Sequence, residues 1–245
     1  MKRSFFLFIL ILLITGCSNP TVFSVYLAGD STMADKKPDA FPETGWGQVF
    51  PEFFDSAKVK FENHAKNGRS SKSFIYEGRW DSLMGRITPG SYVFIQFGHN
   101  DESPSKGERY STLPEFKNHL RKYVTDVRSR EAFPVLMTSV VRRKFNENGV
   151  LIPTHGNYPD ATKEVAEEMN VPLIDHRALS AELVSEKGDS LSKVLYLWVE
   201  AGHPNYPQGE KDDTHFSPLG AREMARLVVE ELERMQLPLA DALRE

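Results

Sequence analysis

The stretch Phe23-Ser24-Val25-Tyr26-Leu27-Ala28-Gly29-Asp30-Ser31-Thr32 decides how the rest of the chain is read. Six residues run without a charge and stop at Gly-Asp-Ser, a composition that turns a strand into a loop. Working outward, Val59–Ala65, Tyr92–Phe97, Pro134–Val140 and Val171–Asp175 are further short, largely apolar runs. Their length and their Val, Ile, Phe and Tyr content predict strands buried on both faces. Between them, Gly47–Phe54, Leu113–Arg130 and Asp160–Asn170 have helical spacing, with Leu113, Phe116, Leu120, Tyr123, Val124 and Val127 forming an amphipathic stripe. A last helix is expected to start at Ser217, a good N-cap, with Pro218 at its first position. It should turn Leu219, Met224, Leu227, Val228 and Leu232 toward the core. Strands alternating with helices predict an α/β fold with a five-stranded parallel sheet covered on both faces. In such sheets functional residues collect beyond the carboxyl ends of the strands, so those following a strand matter most.

Composition narrows the classes. The chain has 245 residues, 40% hydrophobic and 26% charged, values that exclude disorder, collagen-like repetition and a multi-span membrane protein. Cys17 is the only cysteine, which rules out an internal disulfide and a cysteine-built zinc site. Lys2 and Arg3 followed by an apolar run from Phe5 to Ile14 read as a secretory signal over residues 1–16. Its end, Ile14-Thr15-Gly16-Cys17, resembles a bacterial lipoprotein lipobox, which implies cleavage before Cys17 and a lipid anchor on its thiol. The expected product is an exported lipoprotein, periplasmic or at the outer membrane or cell surface, touching the membrane through that anchor alone. Residues 17–21 then serve as a tether, and 22–245, free of repeats and long linkers, as a single domain. Removing Lys2 and Arg3 takes the formal charge from −4 to −6. So acidic a body argues against nucleic-acid binding, which needs a basic surface. No interface signature is visible, and a monomer is expected.

Four segments carry potential chemistry. Gly29-Asp30-Ser31-Thr32 follows the first strand, Asn67-Gly68-Arg69-Ser70-Ser71 the second, and Gly98-His99-Asn100-Asp101 the third; Asp212-Asp213-Thr214-His215 precedes the last helix. Singly, each is an ordinary turn composition. Together they supply every group that acyl transfer requires.

At these residues the chain resembles the GDSL or SGNH hydrolase superfamily, whose Ser, Gly, Asn and His blocks match Ser31, Gly68, Asn100 and His215. The resemblance implies Ser31 as nucleophile, His215 as general base and Asp212 as the carboxylate orienting the imidazole. It further implies an oxyanion hole from the N–H groups of Ser31 and Gly68 and the amide of Asn100, with no cofactor and no metal. The implied fold is a flavodoxin-like, three-layer α/β/α sandwich. The chemistry of each group fits. A serine hydroxyl needs a neighbouring base, and an imidazole titrates near working pH. A carboxylate fixes the imidazole tautomer, and a developing oxyanion needs preorganised donors. Glycine at 68 lets its N–H approach closely. Asp212 and His215 are expected on one turn.

Gly45-Trp46-Gly47-Gln48, Gly68 to Phe74, Glu77-Gly78-Arg79, Val141-Arg142-Arg143 and Pro204-Asn205-Tyr206-Pro207 are similar to the rhamnogalacturonan acetylesterase group. That resemblance spans nearly all of Val22 to Met235. It implies a serine esterase acting on an acetylated plant cell-wall polysaccharide or oligosaccharide, pectic rhamnogalacturonan first and acetylated xylan second. Arg69, Lys72 and Arg79 after the second strand, and Arg142, Arg143 and Lys144 after the fourth, suit a polyuronide in an otherwise acidic protein. Among Trp46, Trp80, Tyr158, Trp198 and Tyr206, Trp80 and Tyr206 are the expected sugar contacts. Three alternatives stand beside this reading: a metal-dependent hydrolase using Asp212, Asp213, His215, His99, Asp101 and His203; a lipid esterase or thioesterase; and a carbohydrate-binding protein on an esterase fold.

Overall fold

The structure is a computed structural model describing residues 22–244. The signal segment, the tether and the Cys17 anchor lie outside the described residues. Five strands, β1 (Phe23–Gly29), β2 (Val59–Asn63), β3 (Tyr92–Gln96), β4 (Phe133–Met137) and β5 (Leu173–Ile174), form one sheet. Their order is β2-β1-β3-β4-β5 and every pairing is parallel. All five coincide with predicted strands, though β2 to β5 each stop earlier than expected. A separate antiparallel ribbon pairs β6 (Tyr196–Val199) with β7 (Glu210–Phe216).

The period-two alternation of the strands separates two cores. Val25, Leu27, Phe94, Val135 and Met137 face one side, and Tyr26, Ala28, Val93, Ile95 and Leu136 the other. The helices are α1 (Trp46–Val49), α2 (Ser71–Tyr76), α3 (Arg79–Met84), α4 (Leu113–Arg128), α5 (Tyr158–Glu168), α6 (His176–Leu191) and α7 (Pro218–Arg234). α1, α6 and α7 cover the first face, and α2 to α5 the second. The result is a three-layer α/β/α sandwich. Thr112 and Glu115 cap α4 reciprocally, and Phe116, Leu120, Tyr123, Val124 and Val127 are its buried stripe. Ser217 caps α7 through the Gly220 N–H at 3.1 Å. Met224, Leu227, Val228 and Leu232 are buried as expected, each typically worth about 1.5–3 kcal/mol. Leu219 is half exposed instead; five residues before Met224, it points roughly 140° away on the 3.6-residue helical period.

Strand order reverses between β1 and β3: the chain leaves β1 for β2 on one side, then returns to place β3 on the other. Such a switch point opens a crevice at the carboxyl ends, where two connections diverge. Ser31 leaves β1 and Asn100 leaves β3 at this crevice.

Candidate active site

At the end of β1, Asp30 organises a tight turn. Its Oδ1 accepts from the N–H and the hydroxyl of Thr32, both at 2.9 Å, while Ala34 N–H donates to its carbonyl at 3.0 Å. Complete burial raises the Asp30 carboxyl above its ordinary value, against the lowering effect of the Thr32 bonds. The turn lifts Ser31 into the crevice, nearly buried.

After β2, Lys66 N–H donates to Gly29 O at 3.0 Å and Arg69 N–H to Lys66 O at 3.2 Å, forming a turn. Gly68 occupies it at φ 74°, a backbone conformation that favours glycine. After β3, Gly98 takes φ 144°, and a Cβ there would lie 2.2 Å from Ser139 Oγ. This passage brings Asn100 to the crevice, where one N–H of its amide donates to Arg69 O at 2.9 Å. The same loop and the N-terminus of α2 are clamped by Asp101, which accepts the Ser71 N–H (3.0 Å) and hydroxyl (2.5 Å). Burial pushes Asp101 up to about 7 despite these bonds. Among the described residues, the N–H groups of Ser31 and Gly68 donate to no internal acceptor, and the Asn100 amide spends one N–H on Arg69 O.

The fourth segment arrives on β7. Tyr196 pairs with Phe216 but its neighbour Leu197 pairs with Asp212, so Asp213, Thr214 and His215 bulge from the ribbon. The expected turn is therefore a bulge within a strand. Asp212 Oδ1 accepts the N–H groups of Thr214 (2.6 Å) and His215 (3.0 Å), and its Oδ2 lies 2.6 Å from His215 Nδ1. His215 Nε2 in turn lies 2.8 Å from Ser31 Oγ. Partial burial would raise Asp212, but the bonds and charge of His215 and the two amide donors outweigh it and hold the carboxyl at about 2. Residues 184 positions apart thus form one hydrogen-bonded chain.

Arg143 does not face the crevice. Its nearly buried guanidinium joins Asp189 and Asp213, the latter at 2.5 Å, and lies over the Trp198 ring at 5.0 Å. Its N–H also donates to Asp213 O at 2.8 Å. It buttresses the bulge instead of gripping sugar, because two carboxylates on neighbouring elements already hold its fork. Trp80 is a second correction: fully buried, edge-on to Tyr123 at 4.4 Å, it donates from Nε1 to Asp126 at 2.8 Å. Its position on α3 points into the second core. Tyr206 is half-buried and donates its hydroxyl to Ala40 O at 2.8 Å, while Asn205 ties the same loop to Phe41 O at 2.8 Å. Arg142 pairs with Glu102 and donates to His99 O at 3.2 Å. Arg79 and Arg69 share Glu77, at 2.7 and 3.0 Å. Among the described residues, no three His, Cys, Asp or Glu side chains gather into a ligand set, those of the metal alternative included.

Lys36 was not singled out from sequence. Its buried ammonium donates to Ser31 O (2.6 Å) and Asn67 Oδ1 (2.8 Å) and pairs with Glu43 (2.6 Å). Burial lowers its pKa, opposed by Glu43. One side chain thereby ties the Ser31 turn to the Gly68 turn. A lysine in a run with Lys37 reads as a solvated surface charge, and nothing in the local pattern marks it otherwise.

A serine hydroxyl joined to an imidazole–carboxylate pair at the switch point of a parallel sheet is the arrangement of a serine hydrolase of the SGNH type, a carboxylic ester hydrolase. The chain belongs to the GDSL-like Lipase/Acylhydrolase family, whose model matches residues 27–223. It is 47% identical to rhamnogalacturonan acetylesterase RhgT of Bacillus subtilis over 89% of this chain and 93% of that one. It is 36% identical to the probable rhamnogalacturonan acetylesterase YesY of the same organism, over 89% and 96% of the two chains. Among solved structures, the YxiM protein of Bacillus subtilis superposes with a TM-score of 0.77 at 28% identity, covering 89% of this chain and 58% of that one.

Proposed function

We propose that the protein removes O-acetyl groups from a plant cell-wall carbohydrate, pectic rhamnogalacturonan first, through an acetyl-enzyme on Ser31. The observation that carries this reading is the unbroken chain Ser31 Oγ–His215 Nε2–His215 Nδ1–Asp212 Oδ2, with links of 2.8 and 2.6 Å. His215 accepts the serine proton as Oγ attacks the acetyl carbonyl, and Asp212 stabilises the imidazolium that forms. The tetrahedral oxyanion takes N–H donors from Ser31, Gly68 and Asn100, each worth about 10²–10³ in rate. As the intermediate collapses and its bond to the sugar oxygen breaks, imidazolium returns the proton to that oxygen, so that the sugar leaves with a free hydroxyl and acetyl-Ser31 remains. Water, deprotonated by His215, then attacks that ester and releases acetate with Ser31 regenerated. The polymer assignment is supported by the two rhamnogalacturonan acetylesterase relatives.

The test is acetate release from acetylated rhamnogalacturonan, homogalacturonan and xylan beside the Ser31→Ala protein. Rhamnogalacturonan should be preferred and Ser31→Ala silent; equal or faster release from xylan overturns the polymer, and an active Ser31→Ala protein overturns the chemistry. Export and acylation at Cys17 belong to the same proposal. Labelled fatty acid should enter the wild-type protein and not Cys17→Ala.

A further inference from the structure

Ser71, the first residue of α2, is fully buried and closely follows Gly68; Asp101, also fully buried, follows Asn100 directly. Together they join the Gly68 turn to the Asn100 loop. The Ser71 N–H lies 3.0 and 3.1 Å from the two Asp101 oxygens, and its hydroxyl 2.5 Å from Oδ1. The Ser111 hydroxyl adds a longer contact of 3.4 Å to the same oxygen. A third element reaches this serine. On α4, Tyr123 donates its hydroxyl to Ser71 O at 2.6 Å. One turn earlier on the same face, His119 places its Nδ1 3.0 Å from Ser71 Oγ. His119 is half-buried, and the ester chemistry above makes no use of it.

The Ser71 hydroxyl has one hydrogen and two partners, and two arrangements satisfy both. With Asp101 as a carboxylate, the hydroxyl donates to Oδ1 and His119 must donate its Nδ1–H to Oγ. With a proton on Asp101, the carboxyl donates to Oγ, the hydroxyl donates to Nδ1, and the imidazole keeps its hydrogen on Nε2. The charge on Asp101 and the tautomer of His119 are therefore a single choice made at Ser71. Burial lowers the His119 imidazole, opposed by Glu115 and aided by Lys72, so the ring is neutral at neutral pH. A buried carboxylate is costly, and each donor that reaches it favours its charged form. An N–H given to Ser71 Oγ polarises that hydroxyl and strengthens its bond to Asp101, because hydrogen bonds in series reinforce one another. A charged Asp101 in turn grips Ser71 more strongly than a neutral one. We propose that His119 is a positioning residue for the oxyanion half of the site: donating from Nδ1 through Ser71, it keeps Asp101 charged and so holds the Asn100 loop against the Gly68 turn. This role rests on the acetyl-enzyme chemistry above and adds to it a support outside the reacting groups.

The test joins nitrogen NMR of ring-labelled histidine to turnover of p-nitrophenyl acetate. Both are run at about pH 8, where Asp101, with its value of about 7, is mostly charged. His119 should carry its hydrogen on Nδ1 in the wild type. It should carry it on Nε2 in Asp101→Asn, whose amide donates to Ser71 Oγ and turns the hydroxyl toward the ring. His119→Leu should lower kcat about tenfold with KM within about twofold, the size of loss expected when a donor is displaced without being removed. His119→Asn, which offers an amide N–H near the position of Nδ1, should recover kcat to within about twofold. On the Asn100→Ala background, His119→Leu should cost no more than about a further twofold, because the donor it positions is gone. Hydrogen on Nε2 in the wild type, or unchanged kcat in His119→Leu, overturns the role. So does a loss in His119→Asn equal to that in His119→Leu, or a loss of about tenfold repeated on the Asn100→Ala background. A wild type that hydrolyses no acetyl ester sinks the parent chemistry instead, and the tautomer still decides whether His119 holds Asp101.

Discussion

The two halves of the candidate site are held by different forces. Ser31, Gly68 and Asn100 leave adjacent parallel strands whose side chains fill both cores, with Asp101 and Lys36 tying their turns together. Asp212 and His215 sit on a two-stranded ribbon outside that sheet, in a bulge of half-exposed residues. What fixes the bulge is polar: Arg143 on Asp213 and Asp189, Trp198 Nε1 on Asp213 at 2.8 Å, and Thr44 N–H on Phe216 O at 3.0 Å. Burial is non-directional and insensitive to salt, whereas hydrogen-bonded charge pairs are directional and screened. The donor half is therefore placed by the core, whereas the base half is pinned to the core only at the ribbon's end, by Tyr196 and Phe216, and its bulge is shaped by a small number of polar contacts.

The largest effects should ignore this boundary. Ser31→Ala and His215→Ala should each lower kcat by about 10⁶-fold, and the double variant should fall no further than either single one. Losses that multiply would show that the halves do not act as one unit. Next, Asp212→Asn should cost about 10⁴-fold in kcat by presenting the wrong imidazole tautomer. Asn100→Ala, in the other half, should cost about 10²–10³-fold with KM little changed. A larger loss at Asn100 than at Asp212 would reverse the ranking of the two halves.

The supports sharpen the contrast. Arg143→Met should lower kcat roughly tenfold to a hundredfold and raise exchange of amide hydrogens in 210–216, since misplacement by about 1 Å can cost that much. Its effect on unfolding should be modest, because Asp189 and Asp213 are each more than two-fifths exposed and water can take over. Lys36→Met should slow turnover by a similar factor but leave exchange in the ribbon unchanged. Altered ribbon exchange in Lys36→Met would merge the two supports into one.

The smallest effect concerns pH. His155 stands behind Asn100, its Nε2 2.9 Å from His99 Nδ1, and burial followed by the charges of Arg142 and Arg177 lowers it to about 3 from 6.5. The unfolded chain thus binds a proton that the folded one refuses, and this site removes stability as pH falls from about 6.5 toward 3. Asp101, raised to about 7, acts in the opposite sense, gaining stability from about 7 down to 3.8. The informative quantity is the difference between wild type and His155→Gln in urea midpoint, which should shrink on acidification. A constant difference from pH 7 to pH 4 would mean that His155 is not held neutral.

Much of the donor half was legible in the chain. Strands buried on both faces must be apolar throughout, so β1, β3 and β4 announce themselves, whereas the edge strand β2 carries Lys60 and Glu62 and buries only Val59; the turn residues after the buried strands stand out by contrast. The ribbon did not, because β7 reads Glu-Lys-Asp-Asp-Thr-His-Phe and carries no apolar alternation. α6 was equally silent: it buries only His176, Ser180 and Val184 and bends at Gly188. Trp80 and Tyr76 show the limit for single residues. One aromatic is buried and the other almost fully exposed, although both lie beside glycine and charge in the sequence.

By itself, then, the chain determined its layer architecture and the chemical identity of the reacting groups. Both follow from local pattern: apolar periodicity sets the sheet, and residue type sets what a side chain can donate or accept. Tertiary structure alone decided which charged side chains reach one another. Arg143 became a buttress and Lys36 a strut because their partners lie on other elements, and the pairing of charges depends on distance in space, which no local sequence pattern encodes.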